Sequence, residues 1–194
     1  MPTGVALRDP RQQLFEAAGR VLVRDGASEL TSRAVTTEAG VAKGVLHRYF
    51  ADFDAFLTEL VLDRIAQVRA IGLRDAAGSG TVAGNLTSAL TAGFDPVALA
   101  LVVLVIARDE LRTRLRAAGT ARLPLVGEFT AVVVDYLKAE RDLGRITAEA
   151  DVDTLAPTLI GAAHLQFTEQ KDGPAAPEAV RKVVIAVLAG VLAN

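Results

Sequence analysis

The chain has 194 residues, 51% hydrophobic and 23% charged, with a formal net charge of −2, which is enough apolar material for a packed core and excludes both disorder and a generally basic, nucleic-acid-coating protein. The absence of cysteine excludes disulfides and thiolate metal sites. No basic-then-apolar segment opens the sequence, and its longest apolar run is the 11 residues 97–107, about half of a membrane span, so the expectation is a soluble cytoplasmic protein without a membrane segment.

Helical periodicity dominates from the start. Residues 11–24 place Leu14, Phe15, Ala18, Val21 and Leu22 on one face, with Arg11, Gln12, Arg20 and Arg24 mostly opposite. Gly26 ends that segment, and Thr31 offers an N-cap hydroxyl to a short helix running to Ala39. A turn through Gly40-Val41-Ala42 leads to a third helix over residues 43–49. A fourth begins near Asp52, with Phe53, Phe56, Leu57, Leu60, Val61 and Val68 at helical spacing and Asp52 and Asp54 suited to its positive end. Residues 72–85, GLRDAAGSGTVAGN, are the best candidate for an internal break. Beyond it, residues 82–93, 96–117, 121–142, 152–170 and 176–193 read as helices, punctuated by Pro96, Gly119-Thr120, Gly144 and Asp172-Gly173-Pro174. The valine-rich runs 101–106 and 131–134 are ambiguous alone, but their length and charged flanks favour buried helices.

The stretch LTSRAVTTEAGVAKGVLHRYF, residues 30–50, carries Gly40 and Gly44 between two short amphipathic segments. One long helix is disfavoured, because each interior glycine costs about 1 kcal/mol relative to alanine. Two helices joined by a tight turn fit better, with Val35 and Ala39 facing inward, Val41 plugging the corner, and Leu46 and Phe50 anchoring the second helix. Its outward positions are then Lys43, Gly44, Val45, His47 and Arg48, and Gly44 lets that helix lie close to a phosphate or base edge.

With those residues in place, an N-terminal helix, a Thr-initiated short helix, AGVAKGVLHRYF and an acidic helix start, the sequence over residues 11–60 resembles the TetR family of bacterial transcriptional regulators. The resemblance implies an all-α protein with an N-terminal three-helix helix-turn-helix DNA-binding domain, residues 1–51, and a C-terminal helical ligand-binding and dimerisation domain, residues 52–194, in which residues 52–71 form the connecting helix. It also implies contacts to double-stranded DNA from Thr31, Arg33, Lys43, Gly44, Val45, His47, Arg48 and Tyr49. The sequence departs from the family pattern where a Ser caps the recognition helix (Ala42), at the hydroxyl after Gly44 (Val45), at the Tyr after Leu46 (His47) and at the Lys opening the fourth helix (Phe53). Residues 1–50 carry seven Lys/Arg against five Asp/Glu, while residues 51–194 carry fourteen against eighteen. The polarity therefore suits DNA binding at the N-terminal end.

For the larger part, the resemblance implies a homodimer and a small effector. Leu155, Leu159, Ala162, Ala163 and Gln166 lie on one helical stripe, and Val180, Val183, Val184, Val187, Leu188 and Val191 on another. These are the candidate dimer faces. Arg64, Phe129, Val133, Tyr136, His164 and Phe167 are the candidate effector residues, pointing to a small hydrophobic or amphipathic molecule, anionic if Arg64 takes part. No catalytic constellation, metal site or cofactor is expected, since the two histidines lie far apart and the glycine-containing stretch 76–84 lacks the Lys of a phosphate loop. The function expected is a ligand-responsive regulator, a repressor released by its effector. The alternative is a ligand- or partner-binding protein of the same fold with weak or lost operator binding.

Overall fold

The computed structural model describes residues 9–169 and 177–192. The expected turn at Asp172-Gly173-Pro174 and the expected helix ends at 170, 176 and 193 lie outside them. The described residues form α1 (Pro10–Asp25), α2 (Ser32–Glu38), α3 (Gly44–Tyr49), α4 (Phe53–Arg69), a 3-10 turn (Leu73–Ala76), α5 (Val82–Gly93), α6 (Pro96–Ala107), α7 (Asp109–Ala117), α8 (Val126–Asp142), α9 (Val152–Glu169) and α10 (Pro177–Val187). No strand occurs among them, and one isolated bridge pairs Ile146 with Leu192. The protein is all-α.

Most of these helices start on a side chain that satisfies a free backbone N–H. Thr31 accepts from Ala34 N at 3.1 Å and Thr81 from Gly84 N at 3.0 Å; losing such a cap costs about 1 kcal/mol. Asp52 accepts from Ala55 N at 2.6 Å and Asp95 from Ala98 N at 2.9 Å. Helix α3 is different. Lys43 stands at its N-cap with no side-chain hydrogen bond, as the Ala42 departure leads one to expect. Gly40 makes the preceding turn at φ +68°, a conformation that favours glycine.

Three expected helices are shorter in the structure, and one of them is α10, which ends at Val187 where 193 was expected, the chain turning there to pair Leu192 with Ile146. The span 96–117 is broken at Arg108, whose extended backbone (φ −123°, ψ 104°) separates α6 from α7. The acidic pair Asp109-Glu110 then opens α7, where negative charge suits the helix dipole. The span 121–142 begins only at Val126. Leu125 takes φ +70°, and buried Glu128 holds this entry by accepting from Ala121 N at 2.7 Å and Leu125 N at 2.8 Å.

Apolar side chains gather into two clusters. The first joins α1–α3 and most of α4 to α6 and α7, centred on Leu14, Phe15, Leu46, Phe50, Phe56, Leu101 and Leu104. The second joins α5, α8, α9 and α10 around Leu86, Leu90, Phe129, Tyr136, Leu159 and Val184. Helix α4 serves both, because Val68 belongs to the second. Leu159, Ala163, Val180, Val184 and Leu188 are buried within this chain, so these members of the two C-terminal stripes face inward, while Leu155, Ala162, Gln166, Val183, Val187 and Val191 are half-buried. The outward residues of α9 and α10 include Thr158, Gly161, Leu165, Ile185 and Ala186, all exposed. No single helix among the described residues is long and apolar enough to cross a membrane.

Gly93 lies directly against the Phe129 ring, leaving no room for even a methyl group. Gly93→Ala is expected to destabilise the fold by about 1–3 kcal/mol through overpacking, which denaturant unfolding measures; an unchanged midpoint contradicts the packing described.

Candidate nucleic-acid interface and effector site

Helix α3 is held from beneath by Leu46 and Phe50, both buried, while Lys43, Gly44, His47, Arg48 and Tyr49 face solvent. Phe50 is wedged between Phe15 and Phe56, with ring centroids 5.8 and 5.0 Å away. Val45 is half-buried and packs on the first cluster, so this candidate contact is partly withdrawn from the surface. Thr31 and Arg33 are exposed at the start of α2, the Thr31 hydroxyl oxygen already serving as cap.

The charges around this face are sorted. Arg20 and Arg24 each hold Glu38 at 2.7 Å, and together they keep its carboxyl below the usual range, Arg20 contributing most. Among the described residues, Arg33, Lys43 and Arg48 have no carboxylate partner. The unpaired cations therefore stand on the outward face of the helix-turn-helix, where they can release counterions from a phosphate backbone.

Phe53 occupies the position where the family pattern has a phosphate-binding Lys, and it does a different job. It stacks on Phe56 at 5.7 Å, and the Arg108 guanidinium lies 5.9 Å above its ring. Arg108 also approaches Asp54 at 3.8 Å and donates to Leu30 O at 3.4 Å, while Arg114 holds both Asp52 oxygens at 3.1 and 3.2 Å. The start of α4 is thereby clasped to the α6–α7 corner.

The candidate effector residues separate into three places. Phe129, His164 and Phe167 come together around Phe94, at centroid distances of 5.4, 5.8 and 5.5 Å. Phe94 was not among the expected residues; the Gly-Phe-Asp-Pro step before Pro96 hides it, since a cap region carries no periodicity. Gly93 closes one side of this cluster against the Phe129 ring, and His164 Nδ1 is buried there with no partner among the described residues. Val133 is fully buried nearby. Tyr136 points to another neighbour, Asn85, whose amide donates to the phenol oxygen at 3.0 Å. Burial, with Glu140 alongside, pushes that phenol above its ordinary range.

Arg64 is not with them. Its guanidinium donates to Asp95 at 2.5 Å and to Gln67 at 2.9 Å, on the wall of a groove of about 640 Å³ between α1, α4 and α6. Asp95 thus already matches its charge, so an anionic effector does not follow from Arg64. No group of three or more His, Asp or Glu among the described residues could hold a metal ion.

Residues 14–60 match the family model of bacterial regulatory proteins, tetR family. The HTH-type transcriptional regulator PksA of Bacillus subtilis is 32% identical over 79 residues, 39% of this chain and 38% of that protein. The chain therefore spans about two fifths of the length of that curated relative. The fold likeness is longer. The regulator FadR from Bacillus subtilis, solved in complex with stearoyl-CoA, superposes with a TM-score of 0.69 at 17% identity, covering 93% of this chain and 98% of that one. The fatty acid degradation regulator FadR from Bacillus halodurans gives 0.70 at 16% identity, with 93% and 98% covered. The family likeness thus covers the helix-turn-helix of residues 14–60, and beyond it the likeness is one of fold, a helical C-terminal part. Its relatives in this family are regulators and not enzymes.

The Asp52 carboxyl is held below the usual carboxylate range, first by the Ala55 N–H and then by Arg114. A group that is harder to protonate when folded contributes stability above its unfolded pKa and loses it as pH falls through the folded one. Thermal unfolding of wild type and Asp52→Asn should therefore differ near pH 7 and converge below about pH 4. A gap that stays constant down to pH 3 contradicts this role.

Proposed function

We propose that the protein is a DNA-binding transcriptional repressor that reads a (pseudo)palindromic operator as a homodimer in the cytoplasm and is released by a small molecule. Domain roles follow the same line, with residues 1–51 reading DNA and residues 52–194 holding effector and partner. The observation that carries the reading is α3, which presents Lys43, His47, Arg48 and Tyr49 outward without carboxylate partners while Leu46 and Phe50 lock it from below. Lys43, Arg33 and Thr31 suit phosphate oxygens; His47 and Arg48, further along the helix, suit base edges. Gly44 allows close approach.

A dimer is needed because one short helix reads only about one half-site, and two readers must stand about 34–36 Å or a larger span apart. The exposed set Thr158, Gly161, Leu165 and Ile185 supports a pairing face on α9 and α10, since small residues beside two exposed aliphatic ones permit close helix approach. Effector control is supported by the fold relative described with stearoyl-CoA, whose ligand identity does not carry over at 17% identity. The second reading, a protein of this fold with weak operator binding, is favoured by Phe53 being committed to Phe56 and Arg108 and by the uncapped α3.

Mobility shift against the DNA upstream of the gene, across a salt series, separates the two. Lys43→Ala should weaken binding to every sequence and flatten the log–log salt slope by about one unit, whereas Arg48→Ala should lose affinity at particular base pairs. If the double variant binds like wild type, α3 is not the reader. Light scattering on Leu165→Asp with Ile185→Asp should find folded monomers; a dimer surviving both changes puts the interface elsewhere. Asp at Leu159 or Val184 should unfold the chain instead, because a charge would enter a dry core.

A further inference from the structure

We propose that the groove between α1, α4 and α6 is the effector site, and that it takes an uncharged, elongated, mostly aliphatic molecule carrying one carbonyl-type oxygen. This rests on the reading of the protein as an effector-controlled regulator. It moves the site away from the aromatic cluster of the C-terminal part.

The space is of ligand size, about 640 Å³ against roughly 300–1,000 Å³ for small-molecule sites. Its apolar surface comes from Phe15, Gly19, Val23, Leu60, Val97 and Leu101. Gly19 marks where α1 and α6 come together, since a Cβ there would meet Val97 at 3.3 Å. Val23 stands half exposed at the edge, an aliphatic side chain facing water beside the opening.

The polar side of the groove explains the choice of headgroup. Arg20 and Arg24 are held by Glu38, and Asp63 accepts from Gln67 at 2.8 Å. Arg64 is mostly buried, its side chain 15% exposed, and its two terminal nitrogens serve Gln67 and Asp95. Its Nε–H is buried and has no partner among the described residues. A buried donor left unmade is unfavourable, and although this one is closed to water at rest, an oxygen that reaches it as the ligand parts α1 from α6 gains more than one competing for a solvated group. A carboxylate would have to share a guanidinium already neutralised by Asp95, whereas a neutral carbonyl needs only the spare N–H. The walls supply the coupling: α1 braces the helix-turn-helix, α4 follows directly from α3, and α6 leads to the corner that clasps the start of α4. A molecule lodged between them separates α1 from α6 and moves the reader.

Methyl spectra of the DNA-free protein, labelled at Val and Leu and titrated with 2-undecanone, test this. The expected result is saturable shifts at Val23, Leu60, Val97 and Leu101, with decanoic acid binding more weakly. Gly19→Leu and Val23→Trp should each raise the ketone Kd at least about tenfold. Gly19→Leu strains the α1–α6 contact, but position 23 is half exposed, so Val23→Trp reports on a folded chain. The proposal is overturned by shifts confined to Val133, Leu137 and Leu159, by no saturable shift, or by an unchanged Kd in Val23→Trp. Decanoic acid binding as tightly as the ketone overturns the neutral headgroup. Because no DNA is present, failure here leaves operator reading intact, and failure of the mobility shift leaves this result standing.

Discussion

Three consecutive residues, Asp52, Phe53 and Asp54, determine where α3 stands relative to the rest of the chain. Asp52 caps α4 and holds Arg114, Phe53 lies between Phe56 and the Arg108 guanidinium, and Asp54 faces Arg108. Since α3 ends only a few residues earlier, any tilt of this first turn moves the reading face. The ion pairs are partly exposed and individually weak, while the ring contacts beneath them are apolar and less sensitive to salt. Under the proposed function, a clasp of this kind keeps one geometry at rest and yields to a ligand, a coupling of about 1–3 kcal/mol.

Helix α4 carries that constraint into the body of the protein. Its first turns belong to the same hydrophobic cluster as the helix-turn-helix, α6 and α7, and its last turn, through Val68, to the second. The physical division of the core therefore does not coincide with a boundary at residue 51. Helices α6 and α7, which lie well inside the C-terminal sequence, pack with the helix-turn-helix module. Under the proposed function, a ligand on the α1–α4–α6 contact acts on α3 through a short, packed path.

Much of the fold is legible from period and punctuation. The cap at Thr31, the start of α4 near Asp52, the turn at Gly40 and the buried Leu46 and Phe50 were all readable, because local chemistry decides them. The ends of α6 and α8 were not. Arg108 breaks an otherwise continuous pattern for a tertiary reason, its contacts with Leu30, Phe53 and Asp54; only the acidic pair after it hints at a new start. Leu125 adopts a positive φ that no Leu announces, stabilised by Glu128. The stripes on α9 and α10 were visible, but periodicity gives a buried face without saying whether the cover comes from the same chain. Arg64 and Asp95 are 31 residues apart, so the pairing that neutralises Arg64 could not be read from either neighbourhood.

The claim that the α4 clasp sets the stance of the reader is tested most directly by a distance distribution. The chain has no cysteine, so spin labels placed at Thr37 on α2 and Ala131 on α8, both exposed, report only the chosen pair once diluted with unlabelled protein. Pulsed electron–electron resonance should give one narrow distance in the otherwise unaltered chain, and a shifted or clearly broadened distribution in the Arg108→Gln, Arg114→Gln variant at unchanged helical content. An identical narrow distribution in both would contradict the account.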